Sequence, residues 1–458
     1  MRVRHSVLSI SVVCLSLIFS ACANLSTVDK PLSQWRPEMG KDFLKQAAGE
    51  RSGEILVLVS FSGGGTRAAA FAYGTLKALS ATRIMTENGE TSLLHEIDAI
   101  SSVSGGSFTS AYYGIRGDRI FDEFESRFLR KNVEGALIGS LFNPLNWPRL
   151  MSFEYGRADM AADYYDRTVF EGATFADLQR PDGPLVIINA TDLASGVRFP
   201  FTKLSFDPIC HDLDSYPVAR AVTASSAVPV LFTPITVRNY AGTCGYQPPE
   251  WLAAASEKQD ANGSMRVRKL EARILRSYLD RDKTPWIHLV DGGIADNLGL
   301  RSFINTVVLA GDQRTAFVAL HHPEVRQILI IMVNSLAKHE AHWPLKRAAP
   351  GLSAVIDAVS SDQIGRYSLD TMEVARAAYG RWAGQMSTPR RPVHFNFVEV
   401  SFEAVGDDTE TRYLNGIGTN FNLKDEEVDR LIDAAGRALD RSPEFKVFLD
   451  RNRKRVMP

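Results

Sequence analysis

The feature that most constrains the fold is a unit of apolar strand, glycine-rich turn and helix, which occurs twice early in the chain. In the first unit, residues 55–59 are apolar, Gly63-Gly64-Gly65 follow, and residues 68–79 have helical character. In the second unit, residues 97–103 precede Gly105-Gly106 and another helical stretch. A short continuous apolar run bounded by a turn is typical of a strand that is buried on both faces, as in a parallel sheet.

Further apolar runs at residues 185–188, 287–290 and 328–333 are also predicted to be buried strands. Strands that alternate with helical stretches predict an α/β fold whose mainly parallel central sheet is flanked by helices. The charged stretch 257–283 predicts a solvated helix with loops, and residues 425–450 predict helices with polar outer faces.

The first 21 residues have the organisation of a secretory signal peptide. Arg2 and Arg4 precede a largely apolar stretch over residues 7–21, and small residues stand before Cys22. A charged start, an apolar centre and a small-residue cleavage site define such signals. The apolar stretch is short for a bilayer core of about 30 Å, which needs about 20 residues, so a transmembrane anchor is the weaker interpretation.

The sequence Phe19-Ser20-Ala21-Cys22 resembles the lipobox of bacterial lipoproteins, in which cleavage before the cysteine is accompanied by its lipidation. This resemblance implies acyl chains on Cys22, each methylene of which contributes about 0.8 kcal/mol to membrane anchoring. Because Ala23 follows the cysteine, the resemblance also favours the outer membrane of the bacterial cell envelope as the location of the protein. The alternative is an ordinary secreted protein that is cut near Cys22.

The charge of the chain gives no indication of a nucleic-acid partner, and its cysteines leave one candidate disulfide pair. The chain has 52 basic and 53 acidic residues, so no basic excess predicts a nucleic-acid partner. If Cys14 leaves with the signal and Cys22 is lipidated, Cys210 and Cys244 remain. An oxidising periplasm permits a disulfide between them, but the sequence does not set their separation, so two free thiols stay open. His321-His322 and His339-x-x-His342 have no carboxylate pattern that suggests a metal site, and we predict no metal and no cofactor.

Ser104 lies in a Ser/Gly-rich turn between a predicted strand and a predicted helix. A hydrolase nucleophile on such an elbow is exposed in strained backbone at a helix N terminus, where the helix dipole favours an anion. Gly106 allows the helix and the strand to approach closely. The usual pattern is Gly-x-Ser-x-Gly, and Ser102 replaces its first glycine, so a plain turn is the alternative for this motif alone.

Gly63, Gly64 and Gly65, followed by Arg67, form a glycine turn that opens a helix. Acyl transfer needs backbone N–H donors aimed at the developing oxyanion, and a turn of this kind supplies them. Arg67 adds a charge that could orient the loop. The sequence of a phosphate-binding loop is absent, which leaves a plain glycine turn as the alternative.

Asp291, followed by Gly292 and Gly293, ends the predicted strand over residues 286–290. A carboxylate at the C-terminal edge of a strand points into the crevice where α/β proteins bind ligands, although it could instead cap the next helix. His288 is the nearest histidine, and its position three residues upstream places it on the opposite side of the strand. We therefore expect His288 to be a packing residue.

In order and spacing, these motifs resemble the patatin-like phospholipases. That family has a glycine-rich oxyanion loop followed by Arg or Lys, then the nucleophile elbow, and later an Asp-Gly-Gly. Two secondary blocks of the family also occur, at residues 189–193 with Gly196 and at residues 224–229, and Asp296-Asn297 follow the Asp-Gly-Gly. The resemblance covers roughly residues 52–300.

The resemblance implies a patatin-like three-layer sandwich and a Ser–Asp dyad that hydrolyses acyl esters of lipids or phospholipids. Ser104 would attack the ester carbonyl, Asp291 would accept its proton, and water would later release the acyl group. The glycines implied to hold the oxyanion are Gly63, Gly64 and Gly65. The residues implied to support this geometry are Arg67, Gly106, Gly292 and Gly293.

The predicted organisation is a signal peptide over residues 1–21, a tether over 22–51, a hydrolase core over 52–334 and a C-terminal extension over 335–458 packed on the core. Insertions in the core are predicted at about 134–180 and 245–285. The extension, with the change at Ser102, motivates a second hypothesis: a catalytically silent, outer-membrane-anchored binding or assembly module with the same fold.

Aromatic and aliphatic side chains are concentrated between residues 137 and 155. The headgroup region of a membrane favours aromatic side chains, so this zone could be a lid or an interfacial contact. The simpler expectation, which we favour, is that these side chains pack in the core. They are Leu141, Phe142, Trp147, Leu150 and Phe153.

Overall fold

The computed structural model describes residues 28–37, 51–152, 154–229, 231–249, 252, 263–310, 322–338, 347, 349 and 351–453. The predicted signal peptide, Cys22 and Phe153 lie outside the described residues. The strands, in chain order, are β1 (Ile55–Phe61), β2 (Arg83–Thr86), β3 (Gly89–Ser92), β4 (Ile97–Val103), β5 (Leu185–Asp192), β6 (Val197–Pro200), β7 (Ile235–Arg238), β8 (Trp286–Val290), β9 (Gln327–Asn334) and β10 (His394–Ser401).

The helices, in chain order, are α1 (Gly65–Ala81), α2 (Gly105–Arg116), α3 (Ile120–Phe124), α4 (Val133–Phe142), α5 (Trp147–Leu150), α6 (Arg157–Tyr165), α7 (Lys203–Phe206), α8 (Val218–Ser225), α9 (Gly263–Leu279), α10 (Gly293–Asp296), α11 (Arg301–Ala310), α12 (Leu352–Met386), α13 (Asp408–Gly416), α14 (Asp425–Arg441) and α15 (Pro443–Arg453). Within the described ranges, none of these helices combines the length and the apolar character that crossing a bilayer requires.

Eight strands form one mixed sheet in the order β10-β9-β1-β4-β5-β8-β7, with β6 also paired to β5. The neighbours from β10 to β5 are all parallel, whereas β6 and β8 run antiparallel to β5, and β7 runs antiparallel to β8. Strands β2 and β3 form a separate antiparallel pair. The predicted α/β fold with a mainly parallel sheet is therefore confirmed.

Both faces of the sheet are covered at β1, which explains why this strand is a continuous apolar run. Along β1, Val57 and Val59 belong to one buried cluster, while the alternating Leu56 and Leu58 belong to another. This is the period of two expected of a strand whose side chains point to opposite faces. Helices α1, α2 and α14 pack in the first cluster, and α11 and α12 pack in the second, so the architecture has three layers.

Residues after 334 complete the sheet. Strand β10 pairs with β9 in parallel along its whole length, from His394 beside Gln327 to Ser401 beside Asn334. Helix α14 packs on α1, where Gly74 leaves room for the backbone of Ile432. The predicted C-terminal extension is therefore part of the central layer as well as of the outer helical layers.

Residues 28–37 are fixed to the core beside a disulfide between Cys210 and Cys244, whose Cα atoms are 5.5 Å apart. The amide of Leu32 donates to the carbonyl of Cys210 (2.7 Å), and the amide of Trp35 donates to the carbonyl of Cys244 (2.9 Å). The Trp35 indole also donates to Asp207 (3.0 Å). The range predicted as a tether thus contains a segment that is docked on the core.

The aromatic zone differs from the sequence expectation. Phe142 and Trp147 are exposed, and Leu141 and Leu150 are half-buried, so the expectation that this group packs in the core is wrong. Helix α4 is apolar on two sides and can bury only one of them, which periodicity alone does not reveal.

Candidate active site

Ser104 stands between β4 and α2 with φ 50° and ψ −122°, outside the regions that a residue with a side chain usually adopts. Such strain costs on the order of 1–3 kcal/mol and persists only where the surroundings hold the backbone. Here the Ser104 amide donates to the hydroxyl of Ser225 (2.8 Å), which in turn donates to the carbonyl of Asn189 (2.6 Å). The strand, the elbow and α8 are therefore tied together at one point.

Two glycines allow the elbow to approach its neighbours. A Cβ on Gly106 would lie 2.7 Å from the Ser62 carbonyl oxygen, and one on Gly105 would lie 1.9 Å from the carbonyl oxygen of Gly65. Side chains at either position would push the elbow away from β1 and from the glycine turn. The supporting role predicted for Gly106 is therefore steric, because only a glycine fits there. Gly105 has the same steric role.

Ser102 is accommodated in the position where the usual motif has glycine. Its side chain is fully buried, accepts a hydrogen bond from the Ser110 hydroxyl (2.6 Å) and donates to the carbonyl of Ile187 (3.4 Å). The substitution therefore fills its site with a hydrogen-bonded hydroxyl and leaves the geometry of the elbow intact.

Asp291 reaches Ser104 by a route that the sequence did not predict. Strand β8 runs antiparallel to β5, with Val290 beside Thr191, so Asp291 follows at the level of the C-terminal half of β5. On the other side of β5, Asn189 pairs with Val103, the residue before Ser104. The C-terminal ends of β4 and β8 therefore come together across β5, although the two strands run in opposite directions.

The backbone around Asp291 is held on the same α8 segment that holds Ser104. The amide of Asp291 donates to the carbonyl of Ala227 (3.0 Å), and the amide of Gly292 donates to the carbonyl of Ser225 (3.0 Å). Gly292 must lack a side chain, because a Cβ there would lie 2.2 Å from the carbonyl oxygen of Asn189. Ser225 thus serves both halves of the candidate dyad.

Burial raises the pKa of the Asp291 carboxyl from its ordinary value to about 6. Hydrogen bonds from the Gly293 amide, at 2.7 Å, and from the side chain of Ser104 act in the opposite direction and lower this pKa. A carboxylate with a pKa near 6 is ionised at neutral pH and is more basic than an ordinary aspartate. It can therefore accept a proton from a neighbouring hydroxyl.

The glycine turn packs against the elbow that carries Ser104. Gly64 and Gly65 have φ of 140° and 62°, and within the described part of the chain their N–H groups donate to no other residue. The Gly63 amide donates to the carbonyl of Asn297 (3.1 Å), so the assignment of Gly63 as an oxyanion donor is corrected. Its role is steric, since a Cβ there would lie 3.2 Å from the Cβ of Ser104.

Arg67 is buried and holds the glycine turn against the C-terminal part of the chain. Its guanidinium donates to the carbonyls of Ser335 (3.1 Å) and Ile417 (2.5 Å), and burial lowers its pKa to about 10. The amide of Thr66 donates to the carbonyl of Asn420 (3.0 Å), whose backbone also packs on Gly65. Ser335, Ile417 and Asn420 therefore shape the turn that carries the free amides.

Sequence reasoning assigned no role to Ser225 or Asn297. The Asn297 side chain occupies the space between two glycines, because a Cβ on Gly63 or on Gly293 would lie 2.7 or 2.8 Å from its Oδ1. The only signal for Ser225 was its position in a secondary family block, and the only signal for Asn297 was its position after the Asp-Gly-Gly. Their contacts depend on strand order, which those blocks do not reveal.

His288 is exposed, and its Nδ1 lies 3.0 Å from the Thr236 hydroxyl, so the expectation that it is a packing residue is wrong. Strand β8 lies between β5 and the short β7 near the edge of the sheet, and one of its faces is open to solvent. In the described ranges, no group of three or more His, Cys, Asp or Glu side chains could hold a metal ion.

A family model described as patatin-like phospholipase matches residues 59–304, more than half of the 458 residues. Among solved structures, human GIVD cytosolic phospholipase A2 is similar, with 12% identity, a TM-score of 0.44, and coverage of 94% of this chain and 69% of that chain. The same human enzyme in complex with methyl gamma-linolenyl fluorophosphonate gives 12% identity, a TM-score of 0.45, and coverage of 93% and 66%. No curated protein matches the chain.

Proposed function

Because the chain belongs to the patatin-like phospholipase family, we propose that it is a serine acyl hydrolase that cleaves acyl esters of lipids through Ser104 and Asp291. The observation that carries this proposal is the pairing of a strained elbow serine with a buried carboxyl whose pKa is about 6. The chemical class of substrate is a phospholipid, a lysophospholipid or a simpler carboxylic ester.

In the first half of the reaction, Ser104 Oγ attacks the ester carbonyl while its proton passes to the Asp291 carboxylate. The carbonyl oxygen becomes an oxyanion, which the amides of Gly64 and Gly65 stabilise. The intermediate collapses by breaking the bond to the leaving alcohol, and Asp291 returns the proton to that alcohol. An acyl-Ser104 ester remains.

In the second half, water attacks the acyl ester and gives one proton to Asp291. The same two amides stabilise the second oxyanion. Collapse then breaks the bond to Ser104, whose oxygen recovers the proton from Asp291, and the carboxylic acid leaves. The dyad ends as it began, and each proton is accounted for without a histidine.

The test is hydrolysis of a short-chain p-nitrophenyl ester and of phospholipid vesicles by the purified chain, beside Ser104→Ala and Asp291→Ala. A matched control is Ser126→Ala, which removes an exposed hydroxyl that donates to the carbonyl of Glu123 (2.9 Å). We expect activity in the parent and the control and its loss in both dyad variants. Activity that survives Ser104→Ala would contradict the proposal. An inactive parent on both substrates would favour the silent binding module.

We further propose that Cys22 carries acyl chains and anchors the protein in the bacterial cell envelope, at the outer membrane. Support comes from the lipobox-like Phe19-Ser20-Ala21-Cys22 and from Ala23. Cells fed an alkyne-labelled fatty acid should incorporate it into the parent and not into Cys22→Ser, and only the parent should fractionate with the outer membrane. Equal labelling of the two proteins would contradict the anchor.

A further inference from the structure

Residues 133–152, which we term the apolar segment, expose an unusual amount of apolar surface. Phe142 is 72% exposed, Leu145 and Met151 are both 83% exposed, and Trp147 is 51% exposed. Single exposed apolar side chains are ordinary, but a contiguous group marks an interaction site.

The exposure is built into the folded backbone of the segment. On α4, Val133 and Leu137 face the core, while Ile138 and Phe142 face outward with nothing described over them. Beyond the helix, the Asn146 amide donates to the Ser140 carbonyl (2.7 Å), and the Trp147 indole donates to the Leu141 carbonyl (3.2 Å). Local hydrogen bonds thus fix the fold of the segment while its apolar side chains point to solvent.

The segment begins beside the glycine turn. The amide of Val133 donates to the carbonyl of Phe421 (3.1 Å), and the neighbouring Asn420 accepts from Thr66 and packs on Gly65. The start of the segment is therefore joined through two successive residues to the loop that carries the free amides.

The segment ends on the Asp291 side of the site. Just after it, the amide of Ala158 donates to the Thr233 hydroxyl (3.2 Å). Thr233 follows the exposed Leu231, and the buried Ala227, a few residues earlier, accepts through its carbonyl from the amide of Asp291. Ile294, close to Asp291 in sequence, is also exposed. The two ends of the segment are therefore connected, one to the glycine turn and the other to the stretch that holds Asp291.

The absence of charged side chains from most of the apolar segment indicates the kind of partner that it contacts. From residue 135 to residue 148 the segment contains no Asp, Glu, Lys or Arg. The flanking Arg149 is occupied, since it pairs with Asp163 (3.0 Å) and lies over the Tyr155 ring. A surface without charge offers nothing to an anionic headgroup or to a charged protein face. An uncharged apolar surface that exposes Phe142 and Trp147 fits the boundary between headgroups and acyl chains.

We propose that the apolar segment is a membrane-contact surface that seats the dyad on a neutral phospholipid bilayer. The proposal rests on the proposed lipid hydrolase function, because a lipid substrate must leave a membrane to reach Ser104. It adds a contact that is independent of any acyl chain on Cys22. Because the contact is apolar, vesicle binding will depend little on salt and on anionic lipid.

The test uses the full chain with Cys22→Ser, which cannot be lipidated, and with Ser104→Ala, which leaves vesicles intact. Flotation with phosphatidylcholine vesicles measures the partition coefficient. The variant is Phe142→Asp with Leu145→Asp, both at exposed positions where folding is preserved, as circular dichroism will verify. The matched control is Leu369→Asp, a 61% exposed residue of α12, which packs on the opposite face of the sheet.

We expect the double variant to lower the partition coefficient at least tenfold and the control to leave it unchanged, at low and at high salt. Quenching of tryptophan fluorescence by bromolipid should decrease in Trp147→Phe. Equal partition of the parent and the double variant, or no binding by the parent, would overturn the proposal. So would a parent dimer that the double variant converts to a monomer, because the surface would then be covered by a second copy.

Failure of the proposed function gives a different result. With Ser104 restored, the double variant should keep the rate of the parent on a soluble p-nitrophenyl ester and lose activity on vesicles. A parent that binds vesicles but hydrolyses neither substrate would refute the hydrolase and leave the membrane contact standing.

Discussion

Replacing Asp291 with Asn should stabilise the protein while it removes activity. Burial raises the folded pKa of Asp291 from 3.8 to about 6. The unfolded chain has the ordinary value, so between pH 4 and pH 6 the folded protein retains a proton that the unfolded chain has released. The stability contributed by this group is therefore fully present below pH 4 and is lost as the pH rises through 6.

The magnitude follows from the two pKa values. At about 1.4 kcal/mol per pH unit, a rise of about two units makes the ionised carboxylate cost about 3 kcal/mol of folding free energy at pH 8. The substituted asparagine is neutral at every pH, and its side-chain oxygen can still accept from the Gly293 amide. The free energy of unfolding of Asp291→Asn relative to the parent should increase by about 2–3 kcal/mol between pH 4 and pH 8.

Urea unfolding at each pH unit from 4 to 8, followed by circular dichroism, measures this difference. Comparing the change across pH cancels any constant effect of the substitution. Asp122→Asn, at an exposed position on α3, is the control and should stay within about 0.5 kcal/mol of the parent at every pH. A pH-independent difference between Asp291→Asn and the parent would refute the argument that burial raises the pKa of this carboxyl.

The remaining predictions concern the base, the glycine turn and the disulfide. Because Asp291 must be ionised to accept a proton, kcat/KM on a soluble ester should fall tenfold per pH unit below about 6 and level off above it; a profile flat to pH 5 would exclude Asp291 as the base. Arg67→Gln should lower kcat at least tenfold with a smaller effect on KM, because the carbonyls of Ser335 and Ile417 lose their donor; steady-state kinetics that match the parent would contradict this positioning role. Cys210→Ser with Cys244→Ser opens a loop with a sequence separation of 34 and should reduce the unfolding free energy by about 3–4 kcal/mol, as urea titration will show.

The parts of the fold that sequence predicted are those with a local signature. The predicted strand over residues 55–59 lies within β1, because an apolar run buried on both faces stands out from its polar flanks. Strand β10 escaped prediction. It is an edge strand with Asn396 and Glu399 among its apolar residues, so its sequence lacks that contrast.

The sequence identified the main residues of the candidate site but not the arrangement of strands that brings them together. Ser104 and Asp291 could be named because their flanking glycines form short motifs. The direction of β8 could not be predicted, since a strand of five mostly apolar residues has the same pattern whether it is parallel or antiparallel to its neighbour. The sequence argument, that a carboxylate at the C-terminal edge of a strand points into the ligand crevice, did place Asp291 at the site. That argument assumes parallel strands, whereas β8 is antiparallel to β5.

Long-range contacts explain the remaining differences between the sequence predictions and the structure. The oxyanion role assigned to Gly63 fails because Asn297, more than two hundred residues later, accepts from its amide. Arg67 binds carbonyls in the C-terminal part of the chain, which no spacing rule connects to the glycine turn. Such partners are set by strand order and by helix packing rather than by local sequence.

The central claim, that Ser104 is the nucleophile and Asp291 its base, is tested most directly by covalent labelling with an alkyl fluorophosphonate. The phosphonyl group should transfer to Ser104 Oγ with loss of fluoride, and peptide mass spectrometry should find one adduct there. We expect no adduct in Ser104→Ala and labelling at least a hundredfold slower in Asp291→Asn. An adduct on another serine, or undiminished labelling of Ser104→Ala, would contradict the account.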